Sequence, residues 1–279
     1  MAGPRWDLRG RTALITGGGR GIGAEVARRL AARGANVAIV DRDGPAARSV
    51  ASSIGPAAHG LEADISRPEE IESAVAATLE RFGGLDVAIA NAAFAEYGLA
   101  ESFDPESFRR VLEVALVGTW RTIRAAAPHL LERSGYALFI SSMAGVIQTP
   151  LLTPYNASKA GVQAIANTLR IETEATGLGV GVAYFGFIGS EGGREGREDP
   201  MLSQVLRRLP DRFTRLASVR GAAQAVVEGI ERRSRTIVYP RANRLVVGLH
   251  ELPQKLGDRM LRTRGIPEAV RRLKPPPSA

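Results

Sequence analysis

One stretch near the amino terminus constrains the fold more than any other. Thr12–Thr16 is a short apolar run with β-branched residues, typical of a strand buried on both faces. Residues 17–23 follow at once and contain five glycines. The next residues place Ile22, Val26 and Leu30 on one helical face, up to Gly34. The stretch therefore predicts a strand, a glycine turn and a helix, the opening unit of a parallel α/β sheet.

The glycine spacing is typical of a phosphate-binding turn and can be aligned in two ways. A G-x-G-x-x-A pattern starts at Gly19, and a G-x-x-x-G-x-G pattern starts at Gly17. Because Thr16 closes the strand, the second alignment fits better. Glycines let the backbone approach a pyrophosphate closely, and the helix N-terminus supports its charge. We expect a dinucleotide site lined by Gly17, Arg20, Gly21, Ile22 and Gly23.

The second strand indicates which dinucleotide binds. It covers residues 36–40 and ends at Asp41, where such folds place an acid on the adenosine ribose. A carboxylate accepts hydrogen bonds from the ribose hydroxyls of NAD and repels the 2′-phosphate of NADP, so NAD is favoured. Arg20 and Arg42 could instead hold that phosphate, which keeps NADP open, or could be solvated surface charges.

Two more strands are predicted downstream, over residues 60–65 and 85–90, separated by a helix with Ile71, Val75, Leu79 and Phe82 on one face. In a parallel sheet, ligands lie beyond the carboxyl ends of strands. We therefore expect the dinucleotide site to include Asp64, Ile65, Asn91 and Ala92. Asp64 could equally cap a turn, and Asn91 could only tie loops together.

A phenol and an ammonium stand four residues apart after the next helix and strand. A helix is predicted over residues 105–131 and a strand over residues 136–140, followed by Ser142. Tyr155 and Lys159 then begin another helix and share one face of it. A phenol has a pKa of about 10, and a nearby cation favours the phenolate. The pair can be an acid/base with its tuner, or merely two neighbouring side chains, and Ser142 can bond a carbonyl or cap a turn.

The last third of the chain is less regular. Residues 186–210 are rich in glycine and charges of both signs, which fits a mobile lid or a disordered loop. A helix over residues 222–232 and a strand over residues 236–239 follow. Beyond Pro240, apolar residues alternate with arginines and predict amphipathic helix packing on the body or on a partner, or, less favoured, a membrane-surface role. The alternation of strands and helices along the chain predicts a doubly wound α/β domain over residues 1–240. The basic residues that follow predict a separate extension over residues 241–279.

Composition narrows the function. The chain has no cysteine and three scattered histidines, which argues against disulfides and metal sites. Residues 241–279 hold nine basic and three acidic residues, so most of the net charge of +8 lies there and the body is nearly balanced. A nucleic-acid groove is therefore not expected in the body. No signal peptide or integral membrane segment is evident, and we expect a cytoplasmic protein.

Together these residues resemble the short-chain dehydrogenase/reductase family over roughly residues 8–240. The resemblance rests on the glycine turn, Asp64, the Asn91-Ala92-Ala93 run, Ser142, and Tyr155 with Lys159. It implies a Rossmann-type parallel sheet with helices on both faces, a nicotinamide cofactor, and hydride transfer between an alcohol and a carbonyl. It also implies a homodimer or homotetramer built through helix faces.

The resemblance assigns roles by position. Tyr155 is similar to the family's acid/base, Lys159 to the residue that holds the nicotinamide ribose and lowers the tyrosine pKa, and Ser142 to the residue that orients the substrate oxygen. Residues 186–190 are similar to the Pro-Gly segment beside the nicotinamide, which would place Ile188 and Ser190 there. In this chain Phe185 replaces the proline and Ser190 the usual threonine.

The largest departure from the family lies at Ala115, where an asparagine usually helps to hold a relay water. Two functions follow. The chain can be an NAD-dependent enzyme for a bulky hydrophobic alcohol or ketone, steroid- or terpenoid-like, in a pocket lined by Phe94, Tyr97, Met143, Tyr184, Phe185 and Phe187. Alternatively it can be a catalytically weak cofactor-binding regulator or scaffold that uses its basic tail, and a tail that binds nucleic acid is a third possibility.

Overall fold

Parallel strands form one sheet in the order β3-β2-β1-β4-β5-β6-β7 in the computed structural model, which describes residues 5–208, 214–263 and 272. Every strand pair is parallel. The strands are β1 (Thr12–Thr16), β2 (Asn36–Asp41), β3 (Ala58–Glu62), β4 (Val87–Ala90), β5 (Tyr136–Ser142), β6 (Gly179–Phe185) and β7 (Thr236–Tyr239).

Helices connect these strands and cover both faces of the sheet. They are α1 (Gly21–Ala31), α2 (Gly44–Ile54), α3 (Pro68–Phe82), α4 (Pro105–Leu112), α5 (Thr119–Glu132), α6 (Thr153–Glu172), α7 (Glu191–Glu198), α8 (Pro200–Leu206), α9 (Val219–Glu231), α10 (Arg244–His250) and α11 (Leu252–Thr263). Short 3₁₀ turns lie at Met143–Gly145, Glu174–Thr176 and Arg241–Asn243.

Two apolar layers sandwich the sheet. One joins α1, α2 and α9 to the sheet, and the other joins α3, α5 and α6 to its opposite face. Strands buried on both faces explain the continuous apolar runs, such as the fully buried Val87–Ala90. The chain turns in opposite directions from β1 to β2 and from β3 to β4, which leaves a crevice at the carboxyl ends of β1 and β4. The predicted Rossmann-type, doubly wound fold is confirmed.

Several boundaries differ from those predicted. β3 lies two to three residues earlier, so Asp64 and Ile65 follow the strand instead of ending it. Helix α2 was not predicted; its buried face consists mostly of alanine, which gives little periodic signal. The segment over residues 186–210 is not irregular where it is described: α7 and α8 occupy most of it, and Asp199 caps α8 by accepting from the N–H groups of Met201 and Leu202.

The long helix predicted over residues 105–131 contains a π-helical segment. Residues Glu113–Gly118 form this wider turn between α4 and α5. Its close packing partners include Ile65, because a Cβ on Gly118 would lie 2.7 Å from Ile65 Cγ1. Ala115, the position that departs from the family, lies inside the segment and is fully buried. Such π turns interrupt helices most often near functional sites.

Residues 241–263 form a 3₁₀ turn followed by α10 and α11, beside β6 and β7. Val247 is buried in the layer that contains α6, and Glu251 accepts hydrogen bonds from the hydroxyls of Tyr184 and Thr236, both at 2.7 Å. The division into domains over residues 1–240 and 241–279 stays a prediction. Within the described residues, no helix combines the length and apolar content needed to cross a bilayer.

Candidate active site

The glycine turn adopts the geometry of the Gly17 alignment. Gly17 and Gly21 have positive φ angles of 64° and 57°, which favour glycine. A Cβ on Gly23 would collide with the carbonyl oxygen of Gly17, and one on Gly17 would lie 2.9 Å from Ala92 Cα. Close backbone contacts therefore require glycine at positions 17 and 23, and the positive φ angle favours it at position 21. Ile22, between them, lies in the first turn of α1 and packs against the core.

Two polar side chains hold this turn in place. Asn91 Nδ2, beyond β4, donates to the carbonyl oxygens of Thr16 at 2.8 Å and Gly17 at 3.1 Å. Asp41, at the end of β2, accepts from the backbone N–H of Gly19 at 2.9 Å and of Asp43 at 3.0 Å. Asn91 thus ties loops together, which is one of the two roles that the sequence predicted for it. Asp41 has a structural role in addition to the one predicted.

The remaining predicted adenine-side residues line the same edge of the sheet. Asp64 Oδ1 accepts from the N–H of Ser66 at 2.8 Å, which is the turn-forming role. Ile65 is buried beside the π-helical segment. The N–H groups of Asn91 and Ala92 both donate to Thr16 Oγ1, at 3.1 and 3.2 Å. Arg42 is exposed.

The segment after β6 folds back over the glycine turn. Ile188 is buried and pairs with Ala217 through a short parallel bridge. Ser190 caps α7 by accepting from the N–H of Gly193, and its Cβ lies near Gly21. The guanidinium of Arg20 forms an ion pair with Glu191 at 3.0 Å. This exposed ion pair closes one side of the cleft between the turn and α7, and nothing in the sequence pattern identified Glu191.

Ser142 and Tyr155 lie together at the centre of the site. Tyr155 occupies the first turn of α6 and lies near Ser142, the last residue of β5. Ser142 Oγ accepts from the N–H of Ala144 at 3.1 Å and donates to the carbonyl oxygen of Phe185 at 3.4 Å. Burial raises the pKa of Tyr155 to about 12, and the neighbouring Ser142 hydroxyl lowers it only in part.

Lys159 follows one turn later and is 2% exposed. Its ammonium donates to the carbonyl oxygen of Ile140 at 2.8 Å and lies 5.5 Å from the centre of the Tyr155 ring. Burial lowers the pKa of Lys159 to about 8. The sequence predicted a tyrosine pKa lowered by this lysine. In the protein alone the shift of Tyr155 has the opposite sign, because burial disfavours charge on both groups.

Ala115 supplies no side-chain polar group to this region. Its carbonyl oxygen accepts a hydrogen bond from Thr119 Oγ1 at 3.1 Å, and its methyl group is fully buried. The departure from the family seen in the sequence is thus a packed position with no side-chain donor or acceptor.

A chain of buried polar groups joins the site to α10. Ser141 Oγ donates to the carbonyl oxygen of Lys159 at 2.9 Å and accepts from Gln163 Nε2 at 3.3 Å. Gln163 Oε1 in turn contacts His250 Nε2 at 2.9 Å. Sequence reasoning missed all three residues, because they lie far apart in the chain and carry no motif.

A small apolar cluster packs α8 against residues from three other segments of the chain. Leu151, Leu202 and Leu206 are buried, and Tyr97, Val205 and Phe187 pack against them. Among the six residues predicted to line a pocket, Tyr184 and Phe185 are instead part of the core. Phe94, Tyr97, Met143 and Phe187 are only partly buried.

The described residues fit a dinucleotide. A Cβ at position 17 or 23 would come too close to Ala92 or Gly17, so only glycine permits a turn this tight, and such turns let the backbone approach a pyrophosphate. No side chain caps the N-terminus of α1, so its first N–H groups, beside the glycine turn, have no side-chain capping partner among the described residues. No group of three or more histidine, cysteine, aspartate or glutamate side chains in the described ranges has the arrangement of a metal site.

Comparison with known sequences identifies relatives. The family model described as short chain dehydrogenase matches residues 11–200. A 3beta-hydroxysteroid dehydrogenase 1 from Eggerthella lenta is 33% identical over 209 residues, which cover 73% of this chain and 80% of that protein. An L-fucose dehydrogenase from Bos taurus is 35% identical over 172 residues, which cover 61% of this chain and 63% of that protein.

Comparison with solved structures agrees with the sequence matches. The 3-ketoacyl-(acyl-carrier-protein) reductase from Brucella melitensis, solved with NADH, superposes with a TM-score of 0.73 at 30% identity. The match covers 83% of this chain and 97% of that one. The structure described as gox2181 gives a TM-score of 0.76 at 26% identity, over 83% of this chain and 94% of that one.

Proposed function

Because the chain belongs to the short-chain dehydrogenase/reductase family, we propose that this oxidoreductase uses NAD to interconvert a bulky hydrophobic secondary alcohol and its ketone. The observation that carries the proposal is the proximity of three side chains: Tyr155 lies near Ser142, and the buried ammonium of Lys159 lies 5.5 Å from the centre of the Tyr155 ring. These three groups lie at the carboxyl ends of β5 and in α6, beside the crevice that suits a dinucleotide.

Each side chain has a distinct task in this mechanism. Ser142 Oγ holds the substrate oxygen by a hydrogen bond, and Tyr155 Oη takes the hydroxyl proton during oxidation or returns it during reduction. The dinucleotide, when bound, accepts or supplies the hydride. Lys159 contributes positive charge that favours the phenolate, and its position one turn after Tyr155 suits contact with the nicotinamide ribose.

The proposed mechanism requires the pKa of Tyr155 to be lowered when the cofactor and substrate bind. The pKa of about 12 in the protein alone must fall by several units for proton exchange near neutrality, at about 1.4 kcal/mol per unit. The Lys159 ammonium, with a pKa of about 8, is charged at neutral pH and sits in a region of low dielectric, where its field acts strongly. Positive charge on an oxidised nicotinamide would add to it.

NAD is proposed over NADP because of Asp41. Its carboxylate is buried at the end of β2, beside Gly19, where a ribose hydroxyl could donate to a free lone pair and a 2′-phosphate would be repelled. Arg42, which is exposed beside it, and Arg20, in the glycine turn, are the cations that could instead hold a 2′-phosphate.

A hydrophobic substrate is proposed from the lining of the site. Tyr97, Val205 and Phe187 are only partly buried around the apolar cluster of Leu151, Leu202 and Leu206. Tyr97 lies close enough to Tyr155 to influence its pKa, and a large apolar substrate would gain affinity by burying the remaining surface of these partly buried side chains. The name of the steroid dehydrogenase relative supports the same class, whereas that of the fucose dehydrogenase relative indicates a sugar.

The test is a panel of secondary alcohols, including sterols, terpenols and sugars, assayed by NADH formation with the native chain and with Tyr155→Phe. We expect turnover of an apolar alcohol by the native chain and its loss in Tyr155→Phe, with NADH binding retained. Tyr136→Phe is the matched control, since it removes the hydroxyl of another buried tyrosine, which donates to the carbonyl oxygen of Ser234 at the opposite end of β5 from Ser142. Unchanged turnover in Tyr155→Phe would refute the assignment of Tyr155. Tight NADH binding without turnover of any alcohol or ketone would support the regulator instead.

A further inference from the structure

Helix α11 has its polar and apolar faces reversed with respect to the body of the protein. Its inward face carries Gln254 and Asp258. Asp258 is 1% exposed and accepts hydrogen bonds from Arg235 at 2.5 Å and from Gln254 at 2.7 Å. A surface helix usually buries its apolar face. This helix instead docks through ion pairs and hydrogen bonds, and its apolar residues point outward.

The exposed apolar residues of α10 and α11 are here called the apolar stripe. Leu252, Leu256 and Met260 recur every fourth residue, which places them on one face of α11, and they are 49%, 60% and 51% exposed. The most exposed members on α10 are Leu245 at 73% and Leu249 at 64%. Six of the ten exposed large hydrophobic residues identified in the described chain lie between residues 245 and 260. Such clustering marks an interaction surface, unlike scattered exposed residues.

The stripe is fixed to the body. Between the two helices, Glu251 is buried and accepts from Tyr184 and Thr236, both at 2.7 Å. Val247 is packed into the core from α10, and Arg262 near the end of α11 pairs with Glu174. The outward orientation therefore results from specific buried contacts on the inner side of both helices.

Charge on the outer side of α10 and α11 is of one sign. The two acidic residues over residues 241–263, Glu251 and Asp258, are both buried and paired inward. The exposed cations of the same stretch are Arg241, Arg244, Lys255, Arg259 and Arg262. Lys255 and Arg262 have acidic partners, whereas the other three have no ion pair among the described residues.

We propose that α10 and α11 bind the surface of an anionic phospholipid bilayer, with the apolar stripe in the acyl-chain boundary and the arginines at the lipid phosphates. Apolar residues flanked by cations suit this surface, because burial of leucine and methionine adds to attraction between guanidinium and phosphate groups. A second copy of the chain fits less well. A two-fold contact through the stripe would bring the same cations of both copies together.

The test is flotation of the full chain with vesicles of phosphatidylcholine alone and of equal parts phosphatidylcholine and phosphatidylglycerol. We expect flotation with the anionic vesicles, weaker flotation with the neutral ones, and a loss of binding at about 0.5 M salt, where charges are screened over a few ångströms. The triple variant Leu252→Ser, Leu256→Ser, Met260→Ser should lower the partition coefficient about a hundredfold, since each lost side chain removes apolar burial.

A charge-reversal pair provides a second measurement that leaves the apolar stripe intact. Arg244→Glu with Arg259→Glu should lower the partition coefficient at least about tenfold, as each surface cation contributes about fivefold. The matched control is Arg28→Glu with Arg220→Glu, which reverses two exposed cations on α1 and α9, across the sheet. This control should float like the native chain.

Three outcomes would overturn the proposal. One is the absence of flotation with either vesicle. Another is equal flotation of the native chain and the triple variant while circular dichroism shows both folded. The third is self-association: if light scattering gives a smaller particle for the triple variant and neither protein floats, the stripe is a contact between copies of the chain.

Discussion

The ammonium of Lys159 donates its hydrogen bond to the carbonyl oxygen of Ile140 at 2.8 Å, and it faces the Tyr155 ring from 5.5 Å without bonding the phenol oxygen. Lysine and tyrosine are thus held side by side while burial opposes ionisation of both. It lowers the pKa of Lys159 to about 8 and raises that of Tyr155 to about 12. The site keeps a buried cation that the fold must stabilise by other means, which is typical of functional positions.

Replacing Lys159 by methionine should stabilise the protein in the absence of cofactor while abolishing turnover. The pKa of about 8 in the folded protein lies below the ordinary lysine value of 10.5, so the unfolded chain binds the proton more tightly. The resulting cost of about 3 kcal/mol is fully present below pH 8 and disappears as the pH rises towards 10.5. Allowing for the lost hydrogen bond to Ile140, we expect a net gain of about 1–2 kcal/mol at pH 7. Urea unfolding at pH 7 and pH 9.5 measures it.

The exposed Lys255 provides the control for that measurement. Lys255→Met removes a half-exposed ammonium 3.8 Å from Glu251, and its effect on the free energy of unfolding should stay below about 1 kcal/mol. If Lys159→Met is no more stable than the native chain at pH 7, the burial of the ammonium does not destabilise the folded protein and the prediction is wrong.

Asp41→Ala should change both the choice of dinucleotide and the stability. Loss of the carboxylate removes the repulsion of a 2′-phosphate, so the ratio of the NADPH and NADH dissociation constants should fall at least about tenfold. It also leaves the N–H groups of Gly19 and Asp43 without their acceptor, at a cost of about 1–3 kcal/mol. Fluorescence titration gives the ratio. Asp43→Ala, which removes only the cap of α2, should cost about 1 kcal/mol and leave the ratio unchanged.

The ion pair between Arg20 and Glu191 should slow the release of NADH. It joins the glycine turn to α7 at 3.0 Å, and both side chains are about half exposed. An exposed pair contributes at most about 1 kcal/mol, so Glu191→Gln should accelerate release by up to about fivefold in stopped-flow experiments. Arg20→Gln should do the same, and the double variant should release no faster than either single one. An unchanged rate of NADH release in Glu191→Gln would contradict the proposed role of the ion pair.

Tyr184→Phe should weaken the attachment of α10 and α11. The hydroxyl of Tyr184 donates to buried Glu251 at 2.7 Å, and the pKa of this tyrosine is raised by burial and by that carboxylate. Without the hydroxyl the carboxylate lacks one donor, and the free energy of unfolding should fall by about 1–3 kcal/mol. Amide exchange in α10 should accelerate as well. Tyr239→Phe, whose partner Ser218 is exposed, should cost less than Tyr184→Phe.

Much of the sheet could be predicted because its signals are local. β1 and α1 have the predicted bounds to within a few residues, since a buried apolar run and a glycine turn encode them without help from distant parts of the chain. The same holds for the placement of Ser142 and Tyr155 at one end of the sheet, which follows from strands being parallel.

The parts that could not be predicted depend on long-range contacts or on backbone detail. The π-helical segment around Ala115 shifts the hydrogen-bond register without changing the apolar pattern. The inward face of α11 depends on Arg235, which precedes Asp258 by more than 20 residues and lies outside the helix. The pattern of leucines alone predicted packing on the body or on a partner, and it did not indicate that the stripe faces away from the body.

The strand order has a consequence for synthesis on the ribosome. β1 lies inside the sheet, and its neighbour β2 with the next strand β3 is complete by Glu62, so the strands that carry the glycine turn and Asp41 are translated first. Ser142, by contrast, pairs with Phe185 of β6, and β7 closes that edge only at Tyr239. A nascent chain therefore contains the glycine turn and Asp41 long before the strand that pairs with Ser142. Until its neighbour is synthesised, each strand edge exposes unpaired backbone that chaperones can recognise.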